Sequence, residues 1–220
     1  MIRYAVVLAV ALAAGPAAAG AQIIQLAPAE PVRWDLTGSI GWLSGSRTES
    51  AARWNDWFDT FAASIEGGRY WTPNIRTAVA GVFTTEGDIH TNEQITLPGE
   101  PRPIFFTQRH AVRLDGLVLT TGYQFGHNEW VHPFVHAGVQ VARERTRTEY
   151  PYPAFDSRGR PVDPPRDPAE TTRTSARPFA GGGAKFYVSE KGFFRTDLNV
   201  AIGGGGVSHI LWRAGFGLDF

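Results

Sequence analysis

The sequence lacks three features, each of which would point to a familiar class of protein. None of its 220 residues is cysteine, so it can form no disulfide framework and no thiolate metal site. Its 21 lysine and arginine residues balance 21 acidic ones, whereas a dedicated nucleic-acid partner normally leaves a basic excess. Beyond the N-terminus there is no apolar run of the ~20 residues that a transmembrane helix needs. The composition therefore argues against a disulfide scaffold, a nucleic-acid-binding protein and a helical membrane protein.

Aromatic residues and glycine are abundant instead. Aromatics make up 12% of the chain, with 7 tryptophans, and glycine occurs 25 times. In a membrane β-barrel only every second residue of a strand faces lipid, so the hydropathy averages out along the chain. High aromatic and glycine content without a long apolar run is typical of that class.

The N-terminus has the three parts of a secretory signal. Met1-Ile2-Arg3 is a short positive start, Ala5 to Ala14 is apolar, and Ala19-Gly20-Ala21 has the small-x-small pattern that precedes cleavage. The apolar part is too short for a spanning helix, and Gly15-Pro16 interrupts it. We therefore predict a cleaved signal peptide at 1–21, a short periplasmic N-terminal segment at 22–31, and a barrel at 32–220.

The C-terminal segment 210–220 alternates strictly between two faces. One face is apolar and the other is polar or small, which is the period of a β-strand with one lipid-facing side. On the apolar face, Phe216, Leu218 and Phe220 resemble the C-terminal assembly signal of outer-membrane β-barrels. The resemblance implies that the barrel assembly machinery reads this strand and inserts the chain into the outer membrane.

Eight segments with a period of two can be drawn between Val32 and Phe220. Long connections, at 44–58, 87–105 and 143–176, alternate with short ones, as they do in membrane barrels with external loops and periplasmic turns. This region resembles the small OmpA/OmpX-type outer-membrane proteins. The resemblance implies an all-β fold, an eight-stranded antiparallel up-and-down transmembrane β-barrel in the cell outer membrane. The pattern leaves the phase of the third and fourth segments open.

Tryptophans mark the two edges of the expected lipid-facing band. Trp34 and Trp42 lie about 26 Å apart along a strand, or about 20 Å along the membrane normal at a tilt of ~40°. An apolar band is ~25 Å tall and is flanked by aromatic residues. We therefore predict an aromatic girdle of Trp34, Trp42, Trp71 and Trp212.

Charged residues of both signs fall on the inward faces of the same strands. Eight strands enclose an interior just wide enough for side chains to fill it, and ions buried there must pair to offset their desolvation. We predict a salt-bridged plug, and a gated ion pore is the functional alternative. The predicted network comprises Glu66, Arg76, Lys185, Arg195, Asp197 and Arg213.

No residue pattern indicates catalysis, a cofactor or a metal. His132 and His136 share the inward face of one strand, but about 13 Å apart they are too distant to hold one ion. The lipid A deacylase type of barrel carries a His-x-Ser pair, which this sequence lacks; its Ser208-His209 has the wrong order. The charged interior also argues against the palmitoyltransferase type, whose lumen houses an acyl chain.

The longest connection, 143–176, is rich in proline and nearly balanced in charge. Such composition indicates an extended, poorly packed segment, which is either a solvated loop or a tip that contacts a ligand. The function we expect is a non-catalytic, monomeric envelope protein with a structural or surface-interaction role. Its expected partners are outer-membrane lipids and lipopolysaccharide. A small ion or solute channel and a lipid-modifying enzyme are the alternatives.

Overall fold

The computed structural model describes residues 34–46, 57–96, 103–125, 130–151, 154–156, 158–162, 169–203 and 206–220. The predicted signal peptide (1–21) and N-terminal segment (22–31) lie outside these ranges. Every regular element within them is a β-strand, and no helix there is long and apolar enough to cross a membrane.

Alternation of side chains builds the strands, because each places successive residues on opposite faces. In the first strand, Leu36, Ile40 and Trp42 are exposed while Asp35 and Thr37 are buried. The strands are β1 (Trp34–Ser46), β2 (Trp57–Tyr70), β3 (Ile75–Thr84), β4 (Gly87–Ile95), β5 (Ile104–Gln124), β6 (Val131–Glu149), β7 (Ala154–Asp156), β8 (Pro161–Val162), β9 (Ala169–Tyr187), β10 (Gly192–Gly203) and β11 (Gly206–Asp219).

Eight of these strands close into a ring, in the order β1-β2-β3-β5-β6-β9-β10-β11 and back to β1. Every pair is antiparallel, and the closing pair runs from Asp35↔Asp219 to Gly45↔His209. Closure pairs the edges that an open sheet would expose. The predicted fold class, an eight-stranded antiparallel up-and-down barrel, is confirmed. We call the end that holds Trp34, Phe220 and the turns 71–74 and 188–191 the lower end.

The outer surface carries the apolar residues that the alternation assigns to it. The third segment, whose phase was open, exposes Val79 and Phe83 and buries Ala80 and Val82. The fourth exposes Leu117 and Leu119. A water-soluble monomer rarely exposes so large a continuous apolar surface, whereas a lipid-facing band requires one.

The prediction of long loops at 87–105 and 143–176 is wrong, because both segments contain strands. Within 87–105, β4 pairs with the first half of β5, from Gly87↔Val112 to Ile95↔Ile104. Within 143–176, β6 continues to Glu149 and β9 begins at Ala169, with Thr148↔Ala169 paired. In 143–149 and 169–176 charged residues alternate with threonine and alanine, so these extensions lack the run of alternate apolar residues that marks the other strands.

These extensions form a projecting sheet, which we define as β4 with residues 104–115, 142–149 and 169–176. It continues beyond the upper end of the ring, since β10 pairs with β9 only as far as Phe179. The short strands β7 and β8 pair with each other, and β7 also pairs with the start of β5. They bury a small cluster of Ile104, Phe106 and Ala154, so this part of 143–176 is not the poorly packed segment expected.

Candidate functional site in the barrel lumen

The inward faces of six ring strands bring eight ionisable side chains together in the lower half of the barrel. Seven of them are buried, and the eighth, Arg76, is 11% exposed at its side chain. The four acids and four bases balance in charge. We call this group the lumen network: Asp35, Glu66, Asp197, Asp219, Arg76, Lys185, Arg195 and Arg213.

Glu66 is the centre of the upper part of this network. Its carboxylate accepts hydrogen bonds from Arg76 Nη1 at 2.7 Å, from Arg213 Nη2 at 3.3 Å and from Arg195 Nη1. Asp197 lies beside it, with Arg213 Nε 3.0 Å from Oδ1. Arg195 Nε is 2.9 Å from Asp197 Oδ2, at ion-pair distance but without hydrogen-bond geometry. Two carboxylates thus hold three guanidinium groups.

Lys185 is the centre of the lower part. Its ammonium group donates to Asp35 Oδ2 at 2.6 Å and to the Tyr70 hydroxyl at 2.6 Å, and it lies 3.4 Å from Asp219 Oδ1. Tyr187 donates its hydroxyl proton to Asp219. The Lys185 ammonium also lies 3.8 Å from the centroid of a neighbouring phenylalanine ring. Each charge therefore has several partners, which a buried ion needs to offset its desolvation.

Arg76 joins the two parts. Its Nε donates to Asp35 Oδ2 at 2.7 Å, while its Nη1 reaches Glu66. The network is therefore continuous from the lower mouth of the barrel to its middle. Removing one member would leave several partners short of a counter-charge.

The structure brings together the six lumen residues named from the sequence and adds others. Asp35 and Asp219 are opposite each other on β1 and β11, and Tyr70 and Tyr187 line the same level. The inward phase of β1 and β11 already contains both aspartates. The sequence pattern does not identify them as network members because they lie at strand ends, where a charged side chain could equally face the water at the membrane interface.

The upper half of the lumen is filled in a different way. Above the Gly41↔Arg213 pair, Leu43 is opposite Leu211, and a cluster of apolar side chains packs beside buried polar ones such as Gln140 and His209. We call the apolar group the upper apolar cluster. It contains Leu43, Phe58, Ala62, Ala80, Val82, Ile89, Val112, Leu114, Val118, Ala142, Phe179, Ala201 and Leu211.

Interior histidines hydrogen bond to neighbouring amides. His136 Nε2 contacts Asn199 Oδ1, and Gln124 Nε2 donates to His132 Nδ1 at 2.5 Å. His209 Nε2 is 2.7 Å from Gln140 Oε1. Among the described residues no group of three or more histidine and acidic side chains could hold a metal ion.

Ser208 lies 3.2 Å from His209 Nδ1 and donates its hydroxyl to the carbonyl of Ala201 at 3.2 Å. Both Ser208 and His209 are buried, because the register of β10 and β11 shifts after Ala201. A serine and a histidine in contact are the beginning of a nucleophile pair. Here the serine is held by a backbone carbonyl and is not open to a substrate.

A cavity of about 20 Å³ adjoins the lumen network. Arg76, Gln124, His136, Lys185 and Arg195 are among its lining residues. A cavity of that size holds about one water molecule. It is far too small for an acyl chain.

The four tryptophans of the predicted girdle are exposed on the outer surface. Trp42 and Trp212 are paired across β1 and β11. At the lower end, the Arg69 guanidinium lies 5.4 Å from the Trp34 ring centroid and 4.3 Å from that of Trp71, as expected of a cation held among interfacial aromatic rings.

The three residues of the predicted assembly signal lie on the same outer surface. Phe216, Leu218 and Phe220 are each more than 60% exposed. The backbone of Phe220 exchanges hydrogen bonds with that of Trp34 at 3.0 and 3.1 Å. The last residue is thereby held at the seam between β1 and β11.

No protein-family model and no curated protein matches the chain. Among solved structures, Neisserial surface protein A is 13% identical, with a TM-score of 0.52 over 85% of this chain and 96% of that chain. The N-terminal β-barrel domain of Pseudomonas aeruginosa OprF is 15% identical, with a TM-score of 0.47 over 86% and 98%. Yersinia pestis Ail, in complex with the heparin analogue sucrose octasulfate, is 11% identical, with a TM-score of 0.47 over 86% and 99%. The fold is that of the small OmpA/OmpX-type outer-membrane β-barrels.

Proposed function

We propose that this protein is an integral outer-membrane β-barrel without catalytic activity, with a structural or surface-contact role in the cell envelope. One observation carries the proposal. The lumen is filled at two successive levels, by a charge-balanced network below and by the upper apolar cluster with its polar neighbours above. The cavity beside the network holds about one water, which supports an interior without a substrate site or an open path for ions.

The proposal includes a route to the membrane. A signal peptide at 1–21 would direct export and be cleaved, and the assembly machinery would read Phe216, Leu218 and Phe220. The folded barrel would then act as a monomer whose outer surface contacts phospholipid and lipopolysaccharide. The continuous exposure of apolar side chains around the ring supports this arrangement, because a surface of that kind is stable only against lipid.

Deletion of Phe220 tests the outer-membrane assignment. The residue closes the β1–β11 seam through two backbone hydrogen bonds and ends the proposed assembly signal. We expect the shortened chain to accumulate or be degraded in the periplasm. Phe155→Ala is the matched control, since Phe155 is exposed on β7 outside the ring and its loss should leave outer-membrane levels unchanged. Normal levels of the Phe220 deletion variant would overturn the proposal.

A further inference from the structure

The outer face of β6 changes from apolar to cationic within one step of the strand. Val139 and Val141 are 46% and 48% exposed and belong to the apolar band. The next residues on that face are Arg143, Arg145 and Arg147, all exposed. Since alternate residues are about 6.6 Å apart along a strand, Arg143 stands directly at the upper edge of the band.

Neighbouring strands enlarge this cationic surface. Arg145 is directly opposite Arg113 on β5, and Arg143 is opposite Asp115. On the other side, Arg143 and Arg145 are opposite Thr174 and Thr172 of β9, both exposed. Two guanidinium groups directly opposite each other repel and cost stability. An anion bound between them would relieve that cost.

Among the described residues, two of these arginines form no ion pair, although Asp115 is directly opposite Arg143. Arg113 pairs with Asp115 at 3.1 Å, and Arg147 pairs with Glu149 at 2.9 Å. Across the ranges that the structure describes, neither Arg143 nor Arg145 forms an ion pair. The chain as a whole has a formal net charge of zero, so this patch is a local excess of positive charge.

We propose that Arg113, Arg143 and Arg145, with the hydroxyls of Thr172 and Thr174, bind a phosphate group of an outer-leaflet amphiphile. Its acyl chains would lie on the apolar band below, at Val139 and Val141. Guanidinium groups suit this role because they present paired donors that match phosphate oxygens. Free phosphate could satisfy the same donors, but only an amphiphile also covers the adjoining apolar surface. The inference rests on the proposed outer-membrane location.

The test uses the full chain, refolded in a zwitterionic detergent. It is titrated with phosphorylated lipid A, with the same lipid after phosphatase treatment, and with inorganic phosphate. In Arg143→Gln/Arg145→Gln, we expect affinity for phosphorylated lipid A to fall about tenfold or more, because charge-assisted hydrogen bonds from two guanidinium groups are lost. The control Arg158→Gln/Lys191→Gln removes two exposed cations elsewhere and should bind as wild type does.

Four outcomes would overturn the inference. They are equal binding by wild type and the glutamine variant, an equal loss in the control variant, undiminished binding of phosphatase-treated lipid A, or equally tight binding of inorganic phosphate. The urea midpoint of the glutamine variant is measured in parallel and should not fall, since Arg145 faces a like charge. Arg145→Gln alone serves if the double variant refolds poorly. A chain that never reaches the outer membrane in cells would refute the proposed function without changing this titration.

Discussion

The lower and upper halves of the lumen have the same backbone frame and are filled by opposite chemistry. The lower half holds four acids and four bases. The upper half holds a cluster of aliphatic and aromatic side chains beside hydrogen-bonded polar ones such as Gln140 and His209. When an apolar side chain is truncated, the protein loses stability according to the buried volume removed and the size of the cavity that remains. A buried ion network depends on every partner, because each charge removed from water needs its counter-charge.

The largest expected effect is in the lower half, at Glu66. Glu66→Ala removes the carboxylate that three guanidinium groups share and leaves uncompensated positive charge in the interior. We expect a loss of about 3–5 kcal/mol in the free energy of unfolding, measured as a shift of the urea midpoint in lipid vesicles. Glu190→Ala, in an exposed turn, is the control and should change little. Similar midpoints for the two variants would mean that the network does not stabilise the barrel.

In the upper half, we expect the stability lost on truncation to depend on the volume of the side chain removed. Leu211→Ala deletes a buried side chain that is 4% exposed, and we expect it to cost about 2–5 kcal/mol, depending on how far the site collapses. The control is Leu119→Ala, on the lipid-facing side at 55% exposure. If the inward and outward truncations cost the same, the upper lumen is not packed as described.

The smallest expected effect is the coupling energy between two neighbouring substitutions, and it distinguishes the charged lower half from the apolar cluster of the upper half. Lys185→Met and Asp219→Leu each break one side of an ion pair, whereas the double variant removes both charges and keeps the remaining network balanced. We expect the double variant to be more stable than the sum of the single losses predicts, with a coupling of about 0.5–3 kcal/mol. A matched cycle of Leu43→Ala and Leu211→Ala tests the apolar side. Strict additivity for Lys185 and Asp219 would show that their charges act independently.

The ring and its phase are readable from the sequence because lipid and lumen impose opposite polarity on alternate residues. Trp34, Leu36 and Trp42 of β1 alternate with small and polar residues, so one strand already defines inside and outside. The same logic fails for the projecting sheet. Arg143 and Arg145 are exposed on the outer face of β6. The inward residues between and beyond them, Glu144 and Thr146, are polar as well, so no polarity contrast distinguishes this part of the strand from a solvated loop.

The division of the lumen into two levels is harder to predict. Leu43 and Phe58 stand at the margins of long connections in the sequence, yet the structure places both in the upper apolar cluster. Their inward position depends on strands that extend further than the apolar alternation indicates. The local sequence pattern also cannot show which charged residues pair with each other. Lys185 and Asp35 are 150 residues apart, and only closure of the ring brings them together.

Conductance of the refolded wild-type protein in a planar bilayer tests the central claim, that the lumen is closed, most directly. The charge network and the upper apolar cluster fill successive levels of the described interior, and the cavity beside the network holds about one water molecule. We therefore expect only rare, small conductance events, and Asp197→Ala should raise their frequency, because among the described residues Arg195 and Arg213 would keep only Glu66 as an acidic partner. Steady, large conductance from the wild-type protein would contradict the account and favour the channel.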